Sequence, residues 1–98
     1  MREVAKVIQT TEYTVVNKEI KNEEFVSIYE NKSLAEIVVS INQFNSNGEI
    51  SAVKELKING DNYTMLMSEK PEFAPNKPAN EYREEDLWYV VDLIDGYK

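Results

Sequence analysis

At steps of three and four residues, Leu87, Val90, Val91 and Ile94 fall on one line along the chain. An apolar stripe of that period belongs to a helix, since side chains in a strand repeat every second residue. Glu81, Glu84, Glu85, Asp92 and Asp95 gather on another line, with Trp88 in their midst. The stretch from Asn80 to Lys98 therefore reads as a helix with one side on a core and the other turned to water. Asn80 suits the capping position, and Glu84, Glu85 and Asp86 fall near the first turn, where the helix dipole favours negative charge. Upstream, Pro71, Pro75 and Pro78 lie between Lys70 and Asn80. Three residues without a donor N–H and with fixed φ rule out regular structure, so residues 71–80 form a Pro-rich connector. Phe73 within it is expected to pin the connector to the body of the protein.

The first thirty residues hold three candidate strands, Val4 to Gln9, Tyr13 to Ile20 and Phe25 to Tyr29, rich in Val, Ile, Tyr and Thr. Thr10-Thr11 and the polar Lys21-Asn22-Glu23-Glu24 stretch separate them. Ser33-Leu34-Ala35-Glu36 has the form of a capping box, and Leu34, Ile37, Val38, Ile41 and Phe44 then recur at helical steps, predicting a helix that ends near Asn45 to Gly48. The β-branched run Ile37-Val38-Val39 works against it, because those side chains lose rotamer freedom in a helix. Asn59-Gly60 between Ala52 to Ile58 and Tyr63 to Glu69 predicts a hairpin, with Lys54, Leu56 and Ile58 on one face with Tyr63, Met65 and Met67.

These elements, in the order β-β-β-α-β-β-α, predict an α+β fold: a mostly antiparallel sheet of about five strands with two helices packed on one face. The 98 residues read as one small acidic domain, with 42% hydrophobic and 30% charged residues placing it in the folded class. A net charge of −7 repels phosphate backbones and attracts basic surfaces, which argues against direct nucleic-acid binding. The excess is uneven, for Ala79 to Asp95 holds six carboxylates against Arg83 alone. The opening residues lack the long apolar run of a secretion signal and no stretch approaches membrane-spanning length, so a cytoplasmic protein is expected. The abundance of Asn, Lys, Ile and Glu beside two arginines and three glycines suggests an AT-rich coding sequence, as in a low-GC bacterium or its phage or plasmid.

The absence of cysteine and histidine removes disulfides, thiolate nucleophiles, the commonest zinc ligands and every Ser-His-Asp or Cys-His arrangement. Carboxylate chemistry is left to Glu84-Glu85-Asp86 and to Asp92 with Asp95. Their spacing sets them on an open helix face, which holds no substrate, so no enzymatic activity is expected. Gln43 to Lys54 has the outline of a calcium-binding loop, with Asn45, Asn47, Gly48 and Ser51 in place. Gln43 stands where the first aspartate belongs, however, and Lys54 where the bidentate glutamate belongs. Gly48, Gly60 and Gly96 are scattered singly and make no phosphate loop. No metal or cofactor is expected.

What remains is a non-catalytic protein-interaction module. Glu81, Glu84, Glu85, Trp88, Asp92 and Asp95 are the candidate partner-binding residues, presented to a protein with a basic surface. A sharper version is an inhibitor or regulator from a phage or plasmid that docks on a nucleic-acid-binding protein. Trp88 is open to two readings, an interface residue or one lying at the border of the core. The alternatives are a module for a carbohydrate or other small ligand, using Trp88 and the faces of Tyr13, Tyr29, Tyr63 and Tyr97, and a structural subunit that self-associates through its sheet edges.

Overall fold

The computed structural model describes residues 1–11 and 15–98, with the side chains of residues 8–18 outside the description. It is an α+β protein with the strands β1 (Arg2–Thr11), β2 (Val15–Asn31), β3 (Glu36–Phe44) and β4 (Ile50–Ile58), then the helices α1 (Gly60–Leu66) and α2 (Glu84–Asp95). The sheet is antiparallel with its strands in sequence order, β1-β2-β3-β4. Each strand thus pairs with its neighbour along the chain, as short connections favour. The observed order β-β-β-β-α-α replaces the predicted β-β-β-α-β-β-α.

Three differences account for the change. The predicted second and third strands are one strand of 17 residues. Lys21-Asn22-Glu23-Glu24 does not break it, because Glu23 finds charged partners inside the protein; Tyr13 lies outside the described residues. The predicted helix from Ser33 is a single 3₁₀ turn, Lys32–Leu34, followed by β3. Asn31 rather than Ser33 caps that turn, its Oδ1 accepting the Leu34 N–H at 3.2 Å, and Ala35 then takes a left-handed φ of 50° that ends it. Along β3, Ile37, Val39, Ile41 and Gln43 are buried and the residues between them are half-buried. Ile37 and Ile41 fit both periods, and the β-branched Val39 settles on the strand.

The third difference follows Asn59-Gly60, which opens a helix and closes no hairpin. The Asn59 carbonyl accepts the Tyr63 N–H at 3.2 Å, and Tyr63 accepts that of Met67 at 3.0 Å. Half-buried Asn62 and Tyr63 and buried Leu66 and Met67 recur at helical spacing. Lys54, Leu56 and Ile58 therefore share no sheet face with Tyr63, Met65 and Met67. Asn59 takes the N-cap position without a side-chain capping bond, so a dipeptide that suits a hairpin turn here begins a helix.

The chain forms two compact units, Met1–Ile28 with Val39–Glu55 and Tyr29–Val38 with Leu56–Lys98. In the first, Ile20, Val39 and Ile41 are buried together with the polar Lys6, Glu23 and Gln43. Its β1–β2 register shifts between Glu3 and Lys6: Glu3 pairs with Asn22 and Lys6 with Ile20, leaving one additional residue on β1. The second unit carries the larger apolar core: Ile37, Ile58, Leu66, Met67, Ala74, Leu87, Trp88, Val90 and Val91. Here α1 and α2 pack against each other.

Candidate interaction surface

The apolar stripe read from the sequence is the buried side of α2: Leu87, Val90 and Val91 are at most 1% exposed and Ile94 is half-buried. The helix starts at Glu84, later than Asn80, which instead takes a left-handed φ of 63°. Arg83 is the capping residue. Its N–H donates to the Asp86 Oδ2 at 2.9 Å, while its guanidinium reaches the same carboxylate from Nε at 3.1 Å. At the other end Gly96 adopts a φ of 84°, and the Tyr97 N–H returns to the Asp92 carbonyl at 2.8 Å. Only glycine takes that conformation without strain from a Cβ.

The six candidate residues divide by burial. Glu81, Glu84 and Glu85 are exposed, and Asp95 is half-buried. Glu85 pairs with Arg83 at 2.7 Å, and the Glu84 carboxylate accepts the Trp88 indole N–H at 3.3 Å. Trp88 is 7% exposed and Asp92 8%, so both lie within the core of their unit. Of the two readings of Trp88, the core-border one describes its position: the ring is packed away and the Nε1 edge bonds outward to Glu84. The solvent-facing part of the set is therefore the group of carboxylates at the N-terminal end of α2. Among the tyrosines, Tyr29 and Tyr97 are 65% and 51% exposed, Tyr63 is half-buried, and Tyr13 lies outside the described residues.

The connector ahead of α2 is held by residues that composition does not single out. Lys77 is 3% exposed, and its ammonium donates to the carbonyls of Ser68 at 2.7 Å, Pro78 at 3.0 Å and Glu81 at 2.7 Å. Three donors thus meet three carbonyls, which is the full capacity of the group. The Lys70 N–H bonds the Lys77 carbonyl at 2.9 Å and the Asn80 N–H that of Met67 at 2.8 Å, drawing residues 67–81 into a closed loop. Phe73 stacks on Tyr89 with ring centroids 4.4 Å apart, and the Lys98 ammonium lies 5.0 Å from the Tyr89 centroid. The expectation that Phe73 pins the connector is met, with α2 as its anchor.

The first unit contains a polar cluster that the sequence reading missed. Glu23 is 1% exposed. Its Oε1 accepts from Arg2 at 2.6 Å and Lys6 at 3.0 Å, and its Oε2 from Gln43 at 2.7 Å. Burial by itself pushes this carboxyl up, but the bonds from Gln43, Lys6 and Arg2 more than offset that and hold it below the ordinary carboxylate range. The group is ionised and fully engaged, so it has neither the proton nor the free lone pair that acid–base work requires. Arg2 and Lys6 give no alternation signal, because the register shift between Glu3 and Lys6 breaks the strand period between them. Gln43 gives none either, since it falls at the end of a supposed helix.

The stretch that outlines a calcium-binding loop runs through the β3–β4 turn. Gln43 is committed to Glu23, and the Asn45 Oδ1 accepts the N–H groups of Asn47 at 2.9 Å and Glu49 at 3.0 Å, closing the β3–β4 turn. Among the described residues no group of three or more Asp and Glu side chains is arranged to hold a metal ion. No helix among them is long and apolar enough to cross a membrane. No protein-family model, curated protein or solved structure matches the chain.

Proposed function

We propose that the chain is a non-catalytic protein-interaction module whose exposed carboxylates at the N-terminal end of α2, Glu81, Glu84 and Glu85, dock on a basic surface of a partner protein. The observation that carries this reading is the partition of the acidic segment: these three face solvent while Trp88 and Asp92 are packed inside. Recognition then rests on charge, supported by the net −7 of the whole chain, with no aromatic anchor. A cytoplasmic inhibitor or regulator from a phage or plasmid, occupying sites where a nucleic-acid-binding protein holds phosphates, is the sharpest form of the proposal.

The test is capture of partners on the immobilised protein, eluted by a salt gradient, alongside a Glu81→Lys, Glu85→Lys double variant. Both side chains are exposed, so the double variant leaves the core intact, whereas a charge reversal at the buried Asp92 would confuse binding with folding. A partner that elutes at moderate salt and is lost in the double variant supports the reading. Undiminished binding by the double variant excludes this surface.

Self-association is a second reading, favoured by Val26 and Ile28 on β2, which are 58% and 42% exposed and lie beyond the Arg2↔Glu23 pair where the β1–β2 ladder ends. Light scattering over a range of concentrations decides it, and a constant monomer mass removes it.

A further inference from the structure

Two Asn-Gly dipeptides occur in the chain, Asn47-Gly48 and Asn59-Gly60. Both asparagines are exposed, and a Cβ built on either glycine would meet nothing within 4 Å, so neither sequence nor access distinguishes them. Hydrogen bonding does. At the first site the Gly48 N–H is held by the Asn45 carbonyl at 3.1 Å and the Asn47 N–H by the Asn45 side chain at 2.9 Å. At the second, Asn59 is in extended backbone with φ −146° and ψ −177°, and its side chain makes no capping bond. Gly60 is the first residue of α1, where the helix offers an N–H no carbonyl to bond, and among the described residues none is found for it.

We infer that Asn59-Gly60 is a site of spontaneous backbone modification, in which the Gly60 nitrogen attacks the Asn59 side-chain amide while Asn47 is protected. The Gly60 nitrogen gives its proton to solvent base and forms a bond to the Asn59 Cγ. The bond from Cγ to Nδ2 breaks, and the amide nitrogen leaves as ammonia after taking up a proton. The resulting succinimide ring then adds water. Opening at Cγ gives aspartate, and opening at the main-chain carbonyl gives isoaspartate, whose chain runs through Cβ and Cγ. No oxidant, metal or enzyme is required. Either product adds one negative charge at the start of α1, and the second also lengthens the main chain between Ile58 and Leu66, both 0% exposed. An aspartate in this position suits a helix N-terminus, while the extra methylene of isoaspartate disturbs the junction of β4 with α1.

The experiment is incubation of the intact folded protein at mildly alkaline pH, followed by peptide mapping that reads the exchange of NH2 for OH and separates aspartate from isoaspartate. Asn59 is expected to convert several-fold faster than Asn47 in the folded protein, with the two rates converging in denaturant. An Asn45→Ala variant, which frees the β3–β4 turn, should raise the rate at Asn47 and leave Asn59 unchanged. Conversion of Asn47 as fast as Asn59 in the folded protein overturns the inference. So does a folded protein in which Asn59 stays intact while both sites react in denaturant.

Discussion

Gln43 donates a 2.7 Å hydrogen bond from β3 to the Oε2 of Glu23 on β2, completing a buried carboxylate whose other oxygen is held by Arg2 and Lys6 of β1. Three strands thereby converge on one side chain. Replacing Glu23 by Gln keeps its size but leaves two cations facing a neutral group, one of them on a side chain only 7% exposed. Removing one member of a buried ion pair costs about 3–5 kcal/mol, and Glu23→Gln is expected to lower stability to urea by an amount in that range. A change under about 1 kcal/mol would place the cluster among ordinary surface ion pairs.

The same carboxyl makes stability depend on pH. Because its folded pKa lies below the ordinary 4.5, the unfolded chain binds the proton more tightly. The stabilisation is therefore fully present above that value and is lost as pH falls through the folded pKa. Urea midpoints of the wild type should fall faster than those of Glu23→Gln as solutions are acidified below about pH 4.5. Parallel pH profiles for the two proteins would show that Glu23 carries no such linkage.

Sequence patterns located the α2 stripe and the irregular connector because both depend on residues close together in the chain. They failed where one pattern serves two structures. Ile37 and Ile41 are four apart, which is one helical turn and also two strand repeats, and Asn59-Gly60 suits a hairpin or a helix start. The Glu23 cluster was illegible for another reason. Its donors come from positions 2, 6 and 43, so a polar stretch that looks like a strand break is sustained by partners distant in the chain. Of the candidate residues, Glu81, Glu84 and Glu85 face solvent. The burial of Trp88 and Asp92 depends on what covers the border of the stripe, which no helical projection can show.

Ala35 ends the 3₁₀ turn with a φ of 50°. A Cβ in that conformation costs about 1–2 kcal/mol, part of which glycine gives back through the greater freedom of its unfolded chain. Ala35→Gly is expected to stabilise the protein by about 0.5–1 kcal/mol, read as an upward shift of the thermal midpoint. Asn80, at a φ of 63°, should gain less from the same change, because asparagine tolerates the left-handed region better. A destabilised Ala35→Gly protein would contradict the strain argument.

Phe73 and Tyr89 should couple energetically. Their rings are stacked with an interplanar angle of 16°, and aromatic pairs of this kind contribute about 0.5–1.5 kcal/mol beyond the area they bury. A double-mutant cycle on Phe73→Leu and Tyr89→Leu isolates the ring pairing from general apolar burial, and should return a coupling within that range. Additive losses would mean that the two rings merely adjoin, and that the Lys77 ammonium and the backbone hydrogen bonds fasten the connector.

Lys77→Met tests that fastening directly. Methionine matches the length of the lysine stem, so packing along the side chain is largely kept while the ammonium disappears. The carbonyls of Ser68, Pro78 and Glu81 then lose their shared donor. Hydrogen bonds to a charged group contribute about 1.5–3 kcal/mol each when isolated, but water can reach part of a surface loop and recover some of that loss. The expected cost is about 2–4 kcal/mol in total. Local opening is the more telling readout, because the Lys70 and Asn80 N–H groups close the same loop on the Lys77 and Met67 carbonyls. In Lys77→Met both amides should exchange with solvent faster than in the wild type, while those of β3 in the first unit keep their protection. Unchanged exchange at Lys70 and Asn80 would show that the proline turns hold their shape without the ammonium.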